Sequence, residues 1–432
     1  MSWLRPSSLA LPPPSDPASP LGSPSKHRAR DGKTLWLLGP ALVAGVAYLD
    51  PGNVASNMTA GAAFGFLLVW VVVLGNAMAW LVQYLSAKLG IVTGKSLPEV
   101  LGERLQSRWL RRGFWLQAEL VAMATDIAEI LGGAIALNLL FGLPLVVGGL
   151  ITGAVSLAVL QLQGNGRHRA FEHLIISMMV IVAIGFSAGV FVSPPEPADV
   201  AAGLLPAFDG SQSVLLAASI LGATIMPHAV YAHSALARDR FPTRPQALVP
   251  RLLSATRWDV SIALTIAGAV NLAILLLAAT SLQGRDDTGT LEGAHGAIAD
   301  VLGPVIATLF AIGLLASGLA SSSVGAYAGA EIMHGLLRVR IPLTARRLIT
   351  LIPALLVLAF GVDPTQALIL SQVVLSFGIS FALVPLVYLG TRAEVMGSHR
   401  NRWWTTVVGI VVAALLVALN LTLLYLVFTS AG

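Results

Sequence analysis

The chain has 432 residues, 56% hydrophobic and 11% charged, with a mean hydropathy of +0.81. A soluble protein carries about 25% charged residues, so these values exclude a water-soluble globular protein and point to an all-α integral membrane protein. The pI of about 9.8 invites a nucleic-acid reading, but the basic residues sit in short loops between apolar runs; the absence of cysteine removes disulfides, thiolate metal sites and cysteine nucleophiles, and leaves the redox compartment open.

Residues 1–35 are rich in Pro and Ser, include Pro12-Pro13-Pro14 and hold no apolar stretch of signal-peptide length. They predict a disordered cytoplasmic tail. A membrane-crossing helix needs about 20 apolar residues, and eleven such runs follow, at 36–65, 66–87, 113–138, 143–163, 170–192, 213–237, 257–282, 303–337, 345–361, 364–390 and 403–428. With the N-terminus inside, every Lys and Arg except Arg285 falls on the cytoplasmic side. The odd number of spans then places Gly432 outside the cell.

The first span is interrupted by Asp50-Pro51-Gly52-Asn53. A carboxylate at the bilayer midplane costs roughly 2.5 to 3.5 kcal/mol on insertion scales, which makes such a residue a site hypothesis by default. Proline removes a backbone donor and crowds the preceding turn, and glycine permits unusual dihedrals. The carbonyls of Ala47, Tyr48 and Leu49 thereby become candidate cation ligands, with negative charge from Asp50 and an amide oxygen from Asn53.

On the third span, Glu119, Asp126 and Glu129 lie seven and three residues apart, within about 80° on one helical stripe. Small neighbours (Ala122, Ala128, Gly132 and Gly133) allow another helix to approach closely. The acids need a counter-charge, and Arg346 and Arg347 at the start of span nine are its evident source. The rail is open to two readings, a proton path to the cytoplasm or a salt-bridge network that fixes packing. The acidic stretch between Ser193 and Gln212, with Pro194, Pro195 and Pro197, reads as an extracellular connection.

The sixth span is interrupted at Met226-Pro227-His228, where Pro227 frees carbonyls near Ala223 and Thr224 beside the Met226 sulfur. Carboxylate, amide and carbonyl oxygens alone suit calcium or magnesium, whereas a thioether favours softer transition metals. Mixed oxygen and sulfur donors thus indicate a first-row dication such as Mn²⁺ or Fe²⁺, with Cd²⁺ as a mimic. His228 is open to three readings: ligand, proton acceptor or hydrogen-bonded core histidine. His233, seven residues after Met226, is a candidate for the same path. No short-period repeat is visible, but broken helices five spans apart predict two inverted five-helix repeats, 36–192 and 213–390, with span eleven (403–428) as an appendage.

At Asp50-Pro51-Gly52-Asn53 and Met226-Pro227-His228 the sequence resembles the Nramp family of proton-coupled divalent metal transporters, most closely its bacterial MntH-type manganese transporters. Further matching stretches are Gln117-Ala118-Glu119, Ala124 to Glu129, Leu221 to Ile225 and Ser371 to Gly378. The resemblance, covering about residues 36–428, implies a LeuT-like fold with helices 1 and 6 unwound at mid-membrane and alternating access around a central site. It implies Asp50, Asn53 and Met226 as side-chain metal ligands, carbonyl ligation by Ala47 and Ala223, and an approach by Gln372. It further implies a proton-linked network of His228, Glu129, Asp126, Arg346 and Arg347, with Glu119 and His233 matching less closely.

The expected function is symport of divalent metal with protons at a bacterial inner membrane. Expected partners are metal ions, protons and the lipid bilayer, with no resident cofactor, nucleic acid or obligate protein partner. A sodium-coupled amino-acid symporter of the same fold is the first rival, since unwound helices also bind carboxylates and Na⁺. Asp50 argues against it, because an anionic substrate is repelled by an uncompensated carboxylate. A channel is the second rival. HExxH, GxSxG and Walker patterns are absent, so the chain does not read as an enzyme.

Overall fold

The computed structural model of the protein describes residues 39–164, 168–241, 246–285, 288–339 and 342–430. The tail predicted over 1–35, with its basic residues, and Gly432 lie outside them. Among the described residues the chain is helical throughout, without strands.

In chain order the helices are α1 (Pro40–Gly45, continued by a tighter turn over Val46–Leu49), α2 (Pro51–Phe64), α3 (Val69–Thr93), α4 (Leu97–Arg104), α5 (Arg108–Phe141), α6 (Leu145–Gly164), α7 (His168–Val192) and α8 (Pro197–Ala202). After these come α9 (Gly210–Thr224), α10 (Pro227–Arg240), α11 (Val249–Ser281), α12 (Leu291–Leu302), α13 (Pro304–Leu337), α14 (Leu343–Ala359), α15 (Pro364–Thr391), α16 (Ala393–Met396) and α17 (Trp403–Ser430). Eight segments among the described residues are long and apolar enough to cross a membrane: α3, α5, α7, α9 with α10, α11, α13, α15 and α17. The broken pair α1 and α2, the helix α6 and the 17-residue α14 occupy the remaining predicted positions.

Several helices outrun the predicted spans, because hydropathy marks the part that meets lipid and not the part continuing into water. α3 runs on to Thr93 and α5 begins at Arg108; left-handed glycines at Gly94 and Gly142 end them. Helix α4 lies between spans two and three, and opens with a full capping box in which Ser96 accepts from Glu99 N and the Glu99 side chain accepts from Ser96 N. The segment after span five is an ordered connection. It contains α8, and Gly203 O accepts from Trp70 N at 2.9 Å.

The broken helices lie at the centre. In the most apolar window of α9 and α10, 94% of residues are buried, against 33% in α7 and α17, which form the periphery. Helix α2 packs against α9, α11 and α15, while α5 packs along α13. Gly132 of α5 meets the Pro51 ring and Gly318 of α13 meets the Glu129 carbonyl, so close backbone approach sets both contacts.

Candidate functional site

Asp50 is an N-cap in extended conformation: its Oδ1 accepts from Asn53 N at 2.7 Å, and Pro51 occupies the first position of α2, where a missing N–H costs nothing. Pro227 does the same for α10, with Ile225 and Met226 between α9 and α10 and Met226 at the N-cap. The site therefore meets the positive ends of two half-helices, α2 and α10, and the carbonyl ends of two others, α1 and α9.

Those ends are stitched together. Asn53 Nδ2 donates to Tyr48 O at 2.7 Å and to Ala223 O at 2.9 Å, so one side chain joins both breaks. Ser56 and Ser219 hydroxyls meet at 2.6 Å one turn further along. Gln372 of α15 donates to Asp50 Oδ2 at 3.0 Å, while its own Oε1 has no partner. Asp50, Asn53, Met226 and Gln372 are each fully buried. The donors reaching the carboxylate are neutral, and no described Lys or Arg pairs with it. A buried carboxylate without a counter-ion calls for a cation or a proton.

The freed carbonyls are shared out. Ala47 O takes a long bond from Asp50 N at 3.3 Å, Tyr48 O also accepts from Asn271 Nδ2 at 2.9 Å, and Leu49 O accepts from the Ser317 hydroxyl. Among the described residues no group of three His, Asp or Glu side chains converges as a metal site. The donor set at the breaks is instead one carboxylate, amide and carbonyl oxygens, and a thioether. The carboxylate, amides and carbonyls hydrogen-bond one another, so a bound cation must displace some of those bonds, which favours reversible binding over permanent retention.

The acidic stripe of α5 meets α14 as a continuous ion-pair network. Arg347 Nη1 donates to Asp126 Oδ1 at 2.8 Å and to Glu129 Oε2 at 3.3 Å; its other nitrogens reach Ser156 and Ser322 hydroxyls. Arg346 bridges Asp126 at 3.3 Å and Glu119 at 3.0 Å, its guanidinium seated over Gly329 of α13 where a side chain would collide. Exposure grades along the stripe, from fully buried Glu129 to Glu119 at 14%. Glu129 keeps one oxygen unpartnered, and its stripe touches the start of α2 through Gly132 and Pro51. His228 joins the same helix one residue before Asp126, with Nδ1 3.2 Å from the Thr125 hydroxyl and Nε2 unpartnered.

His233 is placed elsewhere. Its Nδ1 lies 2.6 Å from Gln83 Oε1, and the Gln83 amide donates to the Tyr48 hydroxyl, which ties α10 and α3 to the end of α1 and not to the α5 stripe. Sequence reading missed Gln83, Asn271, Ser317, Ser322 and Ser156. Asn271, a lone amide in an apolar span, carried a signal that could have found it, but single serines carry too little polarity to mark a helix face.

The family described as Natural resistance-associated macrophage protein-like, Nramp, matches residues 41–426. The chain is 58% identical over 400 residues to the divalent metal cation transporter MntH of Mycobacterium tuberculosis, covering 92% of this chain and 93% of that one. Its backbone is similar to the Eremococcus coleocola manganese transporter, with a TM-score of 0.81 at 32% identity, covering 90% and 86% of the two chains. At 13% identity and a TM-score of 0.55, over 91% and 93% of the chains, it also shares the LeuT-like fold of Mhp1, a nucleobase-cation-symport-1 family transporter. With the matched region spanning both broken helices, the acidic stripe and all of α15, the chain belongs to the Nramp family.

Proposed function

We propose that the chain imports divalent transition metal, Mn²⁺ with Fe²⁺ and Cd²⁺ as further substrates, together with protons, by alternating access across a bacterial cell membrane. The observation that carries this reading is the meeting of Asp50, Gln372, Asn53 and the Ala223 carbonyl where two broken helices abut, with Met226 at the head of α10. Asp50, Asn53 and Met226 are the proposed side-chain ligands, aided by carbonyls of Ala47 and Ala223 and by the free Gln372 oxygen. The hard oxygens supply charge neutralisation, and the sulfur biases the site toward softer dications.

Metal binding at Asp50 displaces the Gln372 and Asn53 bonds and any proton on the carboxylate. The released proton has an adjacent route through Glu129, Asp126 and Glu119, held by Arg347 and Arg346, with His228 beside it. Rocking of the bundle that contains spans one and six (α1 with α2, and α9 with α10) then opens the site to the cytoplasm. The amino-acid symport alternative lacks a cation to balance Asp50.

The test is Mn²⁺ uptake into proteoliposomes holding a pH-sensitive dye. Wild type should take up Mn²⁺ with internal acidification, Asp50→Ala should do neither, and Met226→Ala should lose discrimination against Ca²⁺ by about tenfold, or 1.4 kcal/mol. Uptake with no proton movement removes the coupling, and unchanged selectivity in Met226→Ala removes the thioether.

A further inference from the structure

We propose that the cavity at the turn from α15 into α17 binds the phosphate headgroup of an anionic phospholipid. The cavity encloses about 760 Å³ and is lined by Ser398, Arg400, Asn401, Arg402, Trp403 and Trp404. It lies at the end of the bundle that carries the basic residues, which charge bias assigns to the inner leaflet.

The wall is built. Asn401 N donates to Gly390 O at 2.7 Å, folding the segment back onto the end of α15, and Gly390 leaves room for the Asn401 amide that any side chain would strike. Asn401 is 8% exposed. Its Oδ1 accepts from the buried Lys88 ammonium at 2.8 Å, which commits the amide oxygen, and its Nδ2 has no acceptor. The amide nitrogen is thereby turned against Gly390, which fixes the wall of the cavity.

The charged side chains that line the cavity, Arg400 and Arg402, are both cations. Among the described residues neither Arg400 nor Arg402 forms an ion pair, and the nearby acid Glu394 pairs with Arg104 at 3.7 Å. Arg392 stacks over the Tyr388 ring at 4.4 Å and donates to its hydroxyl. The first-turn N–H groups of α17 open at Trp403, adding the positive end of a 28-residue helix. Two guanidiniums and a helix start describe a site for an anion with several acceptor oxygens.

The aromatic rim decides between a lipid and free phosphate. Trp403 and Trp404 are 78% and 50% exposed, and the helix they begin turns Val407, Val408, Ile410 and Val411 outward directly afterwards. Indoles at headgroup depth above an apolar helix face fit a phosphate that carries acyl chains. Inorganic phosphate uses none of that surface.

The test titrates the purified full chain in mild detergent with phosphatidylglycerol bearing brominated acyl chains, reading tryptophan quenching, with brominated phosphatidylcholine and inorganic phosphate as comparison arms. Phosphatidylglycerol should bind about tenfold tighter than phosphatidylcholine, and millimolar inorganic phosphate should leave it bound. Arg400→Gln with Arg402→Gln should erase the preference, the paired Lys substitutions should keep it, and Trp403→Phe with Trp404→Phe should remove the part of the quenching that is selective for phosphatidylglycerol. Equal binding of the two lipids, displacement by inorganic phosphate, or a preference that survives the Gln substitutions overturns the proposal. Should the Gln variant fail to fold, the three ligand arms on the unaltered chain still decide.

Discussion

Gly52 and Gly222 both face Gln372, yet they should answer substitution differently. A Cβ on Gly52 would run into Gln372 Nε2, the far end of a flexible side chain; on Gly222 it would run into the Gln372 backbone oxygen, which is fixed in α15. Gly52→Ala should therefore keep the fold while swinging the Gln372 amide off Asp50, and Gly222→Ala should force α9 from α15 at a cost of about 1–3 kcal/mol. Melting temperature and Mn²⁺ binding by calorimetry separate the two outcomes: near-normal melting with weakened binding for the first, lowered melting for the second. Equal melting losses would place Gln372 in packing alone. The Asp50 and Met226 breaks were legible because proline and a charge are conspicuous in an apolar run. Gln372 was legible only through the family resemblance, since one amide within a 28-residue helix shows no periodicity, and its approach to Asp50 depends on a tertiary contact.

Among elements, α5 and α14 were readable in advance because three acids on one stripe demand cations and Arg346 and Arg347 stand together at the start of span nine. Arg347 is fully buried between Asp126, Glu129, Ser156 and Ser322, so Arg347→Ala leaves two buried carboxylates short of charge, a loss of about 3–5 kcal/mol by analogy with broken buried pairs. Glu129→Gln instead keeps shape and polarity while removing a titrating group. It should melt close to wild type and bind Mn²⁺, but lose proton flux in the dye assay; undiminished flux makes the stripe purely architectural. Helix α4 escaped the span count, being too short and polar for a hydropathy run, although Ser96 to Glu99 spells its capping box. Burial opposes the Glu99 charge, but hydrogen bonds from Ser96 N and Arg238 outweigh it and hold the carboxyl below its ordinary value of 4.5. A lowered value in the folded chain means stabilisation present above 4.5 that is lost as pH falls through the folded value. Glu99→Gln should thus lower the melting temperature at pH 7, with the gap from wild type closing below about pH 4.5; a gap that is constant with pH removes the charge from the account.

At the scale of the whole molecule, an inside-negative potential favours inward movement of a dication by about 4.6 kcal/mol per 100 mV. Net driving force is therefore not what the protein must supply; it must control which side the site faces. Eleven apolar runs and two breaks made the architecture legible, but which contacts join the site's elements was hidden, because many of these link residues far apart in the chain. One is Asp259 of α11, a buried carboxylate that accepts from Gly39 N at 3.1 Å and Ala41 N at 2.9 Å and so grips the start of α1. In the proposed rocking, opening toward the basic end of the bundle moves α1 off α11, and hydrogen bonds to a charged group are worth about 1.5–3 kcal/mol each. Asp259→Ala should accordingly raise the population with α1 released by at least about tenfold. The chain has no cysteine, so a single Ala44→Cys substitution, at a position 1% exposed, reports on this without background. In inside-out vesicles, an impermeant maleimide should label the introduced thiol about tenfold faster when Asp259→Ala is added, and Mn²⁺ should slow labelling less than in the parent. If the two labelling rates match, α1 is held by the Tyr48, Gln83 and His233 chain and not by Asp259.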